Sequence, residues 1–278
     1  MIGSLAFATL LAVVPGSLQR LTMPAPSLGD PSRTVRVYLP PSYDRPEAAR
    51  RRYPTVYLLH GWPGSDGNWF GMGHAAEVAA ALMERREIPE LILVSPNGNG
   101  HGLQNRALYM NSQDGRVRME DYIVHDLVAW TDSNFRTLAA AKDRAVIGNS
   151  DGALGAFNFA FRHPDVFGAC GGHSGHYHLH KAFAAGPVLG PEPGASKLLA
   201  AYSPTLEAAH VAPRLAGVTI YFDCGVEDED LADNREFDRT LDSLHVRHTY
   251  REFPGGHSWG YWRSHLVDSL HAVTARML

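Results

Sequence analysis

The sequence predicts an α/β fold, a mostly parallel central sheet with helices on both faces. Three observations predict it. Short apolar runs bounded by Gly, Pro or Asn alternate along the chain with stretches of helical periodicity. The connections between runs are long enough for crossovers, which parallel strands require. The conspicuous polar residues also fall directly after the apolar runs: His60-Gly61, Asn97-Gly98, Gly148–Gly152, Ser174-Gly175, Gly225–Asp228 and Gly255–His257. Parallel sheets gather functional groups at the carboxyl ends of their strands.

Taken in order, Thr34–Leu39 reads as a strand stopped by Pro40-Pro41, and Thr55–Leu59 as a short strand ending at His60-Gly61. Ala75–Arg86 is Ala-rich and helical. Leu91–Val94 is a strand ending in Ser95-Pro96-Asn97-Gly98. Met119–Phe135 places Tyr122, Ile123, Leu127, Val128 and Trp130 on a helical face. Ala145–Ile147 is a strand running into Gly148, and Gly152–Phe161 a helix stopped by Pro164. Phe167–Gly172, Val218–Phe222 and Thr249–Phe253 are further strands. Leu231–Leu244 and Ser264–Met277 are helices. Residues 175–206 are rich in Pro and Gly with little periodicity, and read as a loop-and-short-helix excursion over the site. The whole chain reads as a single domain.

A length of 278 residues suits one large α/β domain with a substantial core. A formal net charge of −4 gives no reason to expect nucleic acid as a partner. Arg50-Arg51-Arg52 beside Pro54 reads as a solvated turn. The cysteines, Cys170 and Cys224, each lie in or beside a strand and read as buried free thiols, with a disulfide as the alternative. No Cys–His spacing resembles a zinc site. Leu5–Val14 is an apolar stretch of 10 residues, too short to span a bilayer as a helix. It has the length of a signal-peptide core but lacks a preceding Lys or Arg. A packed segment of a cytoplasmic protein is the expectation, and export through a weak N-terminal signal the alternative. Oligomeric state is left open.

Gly148-Asn149-Ser150-Asp151-Gly152 is a G-x-S-x-G pattern between an apolar strand and a helix of small residues. A serine held on so sharp a turn needs small neighbours, and Gly148 and Gly152 supply them. It also stands at a helix N-terminus, where the dipole favours developing negative charge. Ser150 is therefore the candidate nucleophile. A serine hydroxyl needs a base, and the base a third group to orient it. Among fifteen histidines, His257 lies between the last strand and the last helix, in Gly255-Gly256-His257-Ser258-Trp259. The acid then belongs between Ser150 and His257. Phe222–Asp230 offers five carboxylates. Asp228, beyond the Gly225 turn, is favoured. Asp223 is expected within the strand, and Glu227, Glu229 and Asp230 facing solvent or starting the next helix. Oxyanion stabilisation needs two N–H donors. Asp151, next after the nucleophile, supplies one. Pro63 has no N–H, so Trp62 or a residue beyond the proline supplies the other, and Trp62 is the choice.

These motifs resemble an esterase family that includes feruloyl esterases, S-formylglutathione hydrolases and the antigen 85 mycolyltransferases. The resemblance runs from about Arg36 to Trp262. It rests on Tyr57-Leu58-Leu59-His60-Gly61, the Ser150 turn, His163-Pro164-Asp165-Val166-Phe167, Ser174-Gly175, Gly225-Val226-Glu227-Asp228 and Gly255–Trp262. It implies an α/β-hydrolase fold, a Ser-Asp-His triad, no cofactor, and a small-molecule or carbohydrate-linked ester as substrate. One residue departs from the pattern: the family usually has Met after the nucleophile, and here it is Asp151. A carboxylate beside a developing oxyanion opposes it unless it points away, is paired or is protonated.

Other residues invite a substrate-binding role: His60, Trp69, Asn97, Asn111, His173 and Trp259, with Trp62 and Tyr261 also flanking the site. His176, His178 and His180 alternate and could converge on a metal, but no carboxylate or thiol joins them in that run, so a polar cleft lining is the better reading. Ester hydrolysis through an acyl-enzyme leads the functional readings. Acyl transfer by the same triad and a non-catalytic binding protein on a hydrolase fold are the alternatives.

Overall fold

A computed structural model describes residues 15–100, 106–179 and 188–277. The apolar run Leu5–Val14 and His180 lie outside the described residues. Eight strands form one sheet in the order β1-β2-β4-β3-β5-β6-β7-β8. They are β1 Ser17–Ala25, β2 Asp30–Leu39, β3 Thr55–Leu59, β4 Ile92–Pro96, β5 Arg144–Asn149, β6 Ala169–His173, β7 Thr219–Gly225 and β8 Thr249–Phe253. From β4 to β8 every pairing is parallel. β2 joins β4 antiparallel, and β1 and β2 form a hairpin at the edge.

β1 was not expected from the sequence. Its residues alternate between exposed and half-buried for most of its length, so it offers no apolar run to read. Met119–Asp121, Tyr122–Leu127 and Val128–Asn134 follow one another as the expected helix, with a wider π turn in the middle. The last helix begins at Trp259, not Ser264. Ser258 caps it by accepting from the Tyr261 N–H, which places His257 immediately outside the helix N-terminus.

Side chains along each strand alternate between two cores. On β5, Val146 faces a core with Phe157, Phe222 and Phe237. Ala145 and Ile147 face the other, with Val56, Leu266 and Leu270. The helix Asp151–Arg162 covers the first face and the last helix Trp259–Thr274 the second. Burying a Phe or Leu at such positions contributes about 1.5–3 kcal/mol each. Cys170 and Cys224 are buried and unbridged.

Register sets the site. Leu59 pairs with Gly148, Asn149 with His173, His173 with Asp223, and Gly225 with Phe253. The strands β3, β5, β6 and β7 therefore end along one edge. His60, Ser150, Ser174 and the Gly225–Asp228 turn emerge there together.

Candidate active site

Ser150 joins β5 to the helix Asp151–Arg162 with φ 53° and ψ −123°. A non-Gly residue rarely adopts such a backbone, and strain of this kind costs about 1–3 kcal/mol. The surroundings enforce it. The Ser150 N–H donates to the His173 carbonyl at 3.0 Å. A Cβ on Gly148 would lie 2.1 Å from the Gly152 backbone, and one on Gly152 would lie 2.1 Å from the Leu59 carbonyl oxygen. No larger residue lets the helix seat itself against β3. Asp151 is the first residue of the helix, so its N–H has no acceptor within the helix.

The β3–loop segment lies against Ser150. A Cβ on Gly61 would stand 3.0 Å from the Ser150 Cβ. His60 fixes this loop. Its Nε2 accepts from the Gly98 N–H at 2.9 Å, so Nδ1 carries the proton and donates to the Gly61 carbonyl at 2.7 Å. Burial pushes its pKa down and keeps it neutral. Asn99 donates to the Gly64 carbonyl at 2.7 Å, holding the far end of the same loop.

His257 Nδ1 lies 3.1 and 3.2 Å from the two Asp228 oxygens. That bond directs Nε2 as the free, basic nitrogen. Burial raises the pKa of Asp228, but hydrogen bonds from His257, the Ser174 hydroxyl and the Asp230 N–H outweigh it and lower it. For His257, burial favours the neutral ring, yet Asp228, Asp230 and Glu229 together raise its pKa above the ordinary value. Trp262 packs edge-on to His257, centroids 5.0 Å apart, and its Nε1–H donates to Ser174 Oγ at 3.1 Å. Ser174 is a second serine in left-handed backbone, φ 51°. Asp228, Asp230 and His257 hold donor atoms within 4.8 Å of one another, but His257 Nδ1 presents its proton to Asp228.

The Asp151 carboxylate is buried and paired. Arg106 donates to it from Nε at 2.6 Å and from Nη2, and His176 Nε2 stands 3.0 Å away. Burial raises its pKa, but Arg106 and His176 outweigh this and hold it at about 2. His176 Nδ1 lies 3.9 Å from Asp230, which in turn lies 3.7 Å from His257 Nδ1. A line of charged contacts thus runs from the residue beside Ser150 to His257.

Some of the remaining sequence expectations hold and others are corrected. Trp69 is fully buried, donates to the Leu59 carbonyl at 2.9 Å and meets Trp259 edge-on, so it packs beneath the site. Trp259 is half-buried between Trp69 and Trp262. His60 has both ring nitrogens engaged within the protein and shapes the loop. His173 is fully buried, with Nδ1 on Asp223 and Nε2 on Ser269. The Asn97 side chain accepts from the Asn99 N–H and closes its own turn. Asn111 borders a separate open hollow with Arg162, Lys197 and Tyr202. Asp230 starts the next helix, Leu231–Ser243, one of its two expected placements, and is buried beside His257. Asp223 lies within β7 and accepts from Tyr261 Oη–H at 2.9 Å. The alternating histidines diverge: His178 meets Glu236 at 3.1 Å, while His176 meets Asp151. Trp62 remains 43% exposed, next to the site. A hollow of about 610 Å³ between Pro41, Met83 and Glu90 contains none of these groups.

Arg106 and the role of Asp230 escaped the sequence reading. Arg106 is 45 positions from Asp151 with no local motif. The Asp151 departure was the one signal, since a buried carboxylate demands a cation.

Residues 26–273 match the model of the family described as "Putative esterase". An "Endo-1,4-beta-xylanase/feruloyl esterase" of Xylanibacter ruminicola is 30% identical over 160 residues, 56% of this chain and 21% of that protein. An esterase of Mycobacterium tuberculosis is 27% identical over 252 residues, 80% of this chain and 52% of that one. The chain thus spans about half the length, or less, of these two relatives. A solved ferulic acid esterase superposes with a TM-score of 0.83 at 26% identity, covering 95% of this chain and 100% of that one. An S-formylglutathione hydrolase from Agrobacterium tumefaciens shares the fold, TM-score 0.79 at 18% identity, over 96% and 98% of the two chains. With the match covering most of its length, the chain belongs to this esterase family and has the α/β-hydrolase fold.

Proposed function

We propose that the chain cleaves carboxylic esters through an acyl-enzyme on Ser150. His257 Nε2 takes the Ser150 proton as Oγ attacks the ester carbonyl. The carbonyl electron pair moves to oxygen, which the N–H groups of Asp151 and Trp62 stabilise. The intermediate collapses, the C–O bond to the alcohol breaks, and His257 returns the proton to the leaving oxygen. Water then repeats the sequence on the acyl-enzyme and releases the acid. Asp228 holds the imidazole in the required tautomer throughout.

One observation carries this reading: a serine in left-handed backbone at a helix N-terminus, on the same sheet edge as an aspartate-bound histidine. The feruloyl esterase likenesses favour an aromatic acyl group on a carbohydrate-linked ester as the first substrate class to try. The test is turnover of acetyl, longer acyl and feruloyl esters, together with fluorophosphonate labelling of Ser150. Labelling and turnover that both survive Ser150→Ala would overturn the mechanism. A feruloyl ester turned over no faster than an acetyl ester would overturn the substrate class alone.

A further inference from the structure

Asp151 places a carboxylate on the very residue whose N–H is proposed to meet the oxyanion. At a separation of roughly 5 Å and an effective dielectric near 20, an uncompensated carboxylate would slow charge development there by about 300-fold. The chain surrounds this carboxylate with two basic groups from separate loops, the Arg106 guanidinium and the His176 imidazole, whose pKa burial lowers but Asp151 and Asp230 raise to about 9. Arg106 approaches with its guanidinium fork, and His176 with Nε2 at 3.0 Å. The Arg106 guanidinium also lies over the Trp62 ring, 5.6 Å from its centroid. The clamp therefore touches both residues proposed to donate to the oxyanion.

We propose that Arg106 and His176 are positioning residues of the oxyanion hole, acting through Asp151. They neutralise its carboxylate and fix the first turn of the nucleophile helix, so that its N–H meets the oxyanion without opposition from its own side chain. Arg106 adds a second hold on Trp62 through its ring. An apolar residue at position 151 would need no clamp, and the clamp and the carboxylate are two halves of one device. This inference rests on the acyl-enzyme reading above.

The decisive experiment is a rescue. Arg106→Met leaves the Asp151 carboxylate with one cation, and kcat should fall by about 10- to 100-fold with KM little changed. Asp151→Met alone should keep kcat within about tenfold of the parent. The double variant Arg106→Met/Asp151→Met should recover to within a few-fold of Asp151→Met. His176→Gln should behave like a weaker Arg106→Met and be rescued by the same Asp151→Met change. Thermal melting of each variant identifies any that fail to fold, and the rate of fluorophosphonate labelling gives a second reading of the oxyanion hole. A raised KM without rescue would make Arg106 a substrate contact and overturn the proposal. A fall in kcat that the double variant does not recover would make the clamp purely structural, with the same consequence. If Ser150→Ala keeps ester turnover, the underlying mechanism fails first and the clamp with it. If Ser150→Ala is dead but rescue fails, the clamp alone is wrong.

Discussion

Two serine–histidine–aspartate sets share this molecule, and the better connected one is closed off from solvent. Ser269, His173 and Asp223 are joined by hydrogen bonds of 2.9–3.0 Å and are fully buried. Ser150, His257 and Asp228 stand at the sheet edge, with His257 about one quarter exposed. Ser269 sits inside a helix, and its hydroxyl donates to the Leu266 carbonyl. It has no helix N-terminus behind it and no route for an ester. Ser150 has a strained turn, a first-turn N–H beside it and the β3 loop against it. On the proposed mechanism, connectivity among the three side chains is a poor guide to catalysis. Access and a helix N-terminus beside the serine separate the two sets. The buried set serves the outer one: the His173 carbonyl accepts the Ser150 N–H, and the Asp223 carbonyl accepts the Ser174 N–H.

The sharpest way to break this comparison is to remove each serine. Ser150→Ala should lower kcat/KM by about four orders of magnitude or more while the protein stays folded. Ser269→Ala should leave turnover within a few-fold and cost about 1 kcal/mol of stability, read as a lower Tm. Equal losses of activity in the two variants would erase the distinction.

Exchanging the acids tests the same contrast with a smaller effect. Asp228→Asn should lose at least about two orders of magnitude in kcat, because the amide can hold the wrong imidazole tautomer. Asp223→Asn should cost about 1–3 kcal/mol of stability through the His173 and Tyr261 hydrogen bonds, with far less loss of activity. A crippled Asp223 variant beside a near-normal Asp228 variant would reverse the assignment.

The pH profile sharpens the description of the outer set. His257 must be neutral to act as base, and its pKa is raised in the folded enzyme, because Asp228, Asp230 and Glu229 outweigh its burial. The acid limb of kcat/KM should thus lie above the ordinary imidazole value of about 6.5. Asp230→Asn removes one of the raising charges and should move the limb to lower pH. An unmoved limb would separate Asp230 from the base. The smallest expected effect is that of Ser174→Ala, a loss of about 3- to 10-fold in kcat as Asp228 loses one hydroxyl donor. No change in the steady-state rate would make the Trp262–Ser174 bond a packing feature only.

The outer set was legible in the sequence because its parts follow strand ends marked by glycine: Gly148, Gly225 and Gly255-Gly256. Such punctuation is local and survives without coordinates. The inner set was not legible. His173 ends β6 much as Asn149 ends β5, yet its ring turns inward to meet Asp223 one strand away and Ser269 on the last helix, and residue type alone does not announce direction. Trp69 misled for the same reason, since an aromatic near a site in sequence can lie beneath it. β1 was missed because edge strands carry alternating polar residues, and Arg106 because its partner is set by the folded chain alone.

The left-handed backbone of Ser150 has a practical consequence. Position 150 would be more comfortable as glycine, the residue that takes positive φ without penalty. Ser150→Gly discards the hydroxyl and releases strain worth about 1 kcal/mol or more, whereas Ser150→Ala discards the hydroxyl and keeps the strain. The glycine variant should melt higher than the alanine variant and leave every donor around the carbonyl in place. That makes it the better trap: an inert receptacle in which an intact ester could be held long enough to reveal which acid and which alcohol the cleft was shaped to receive.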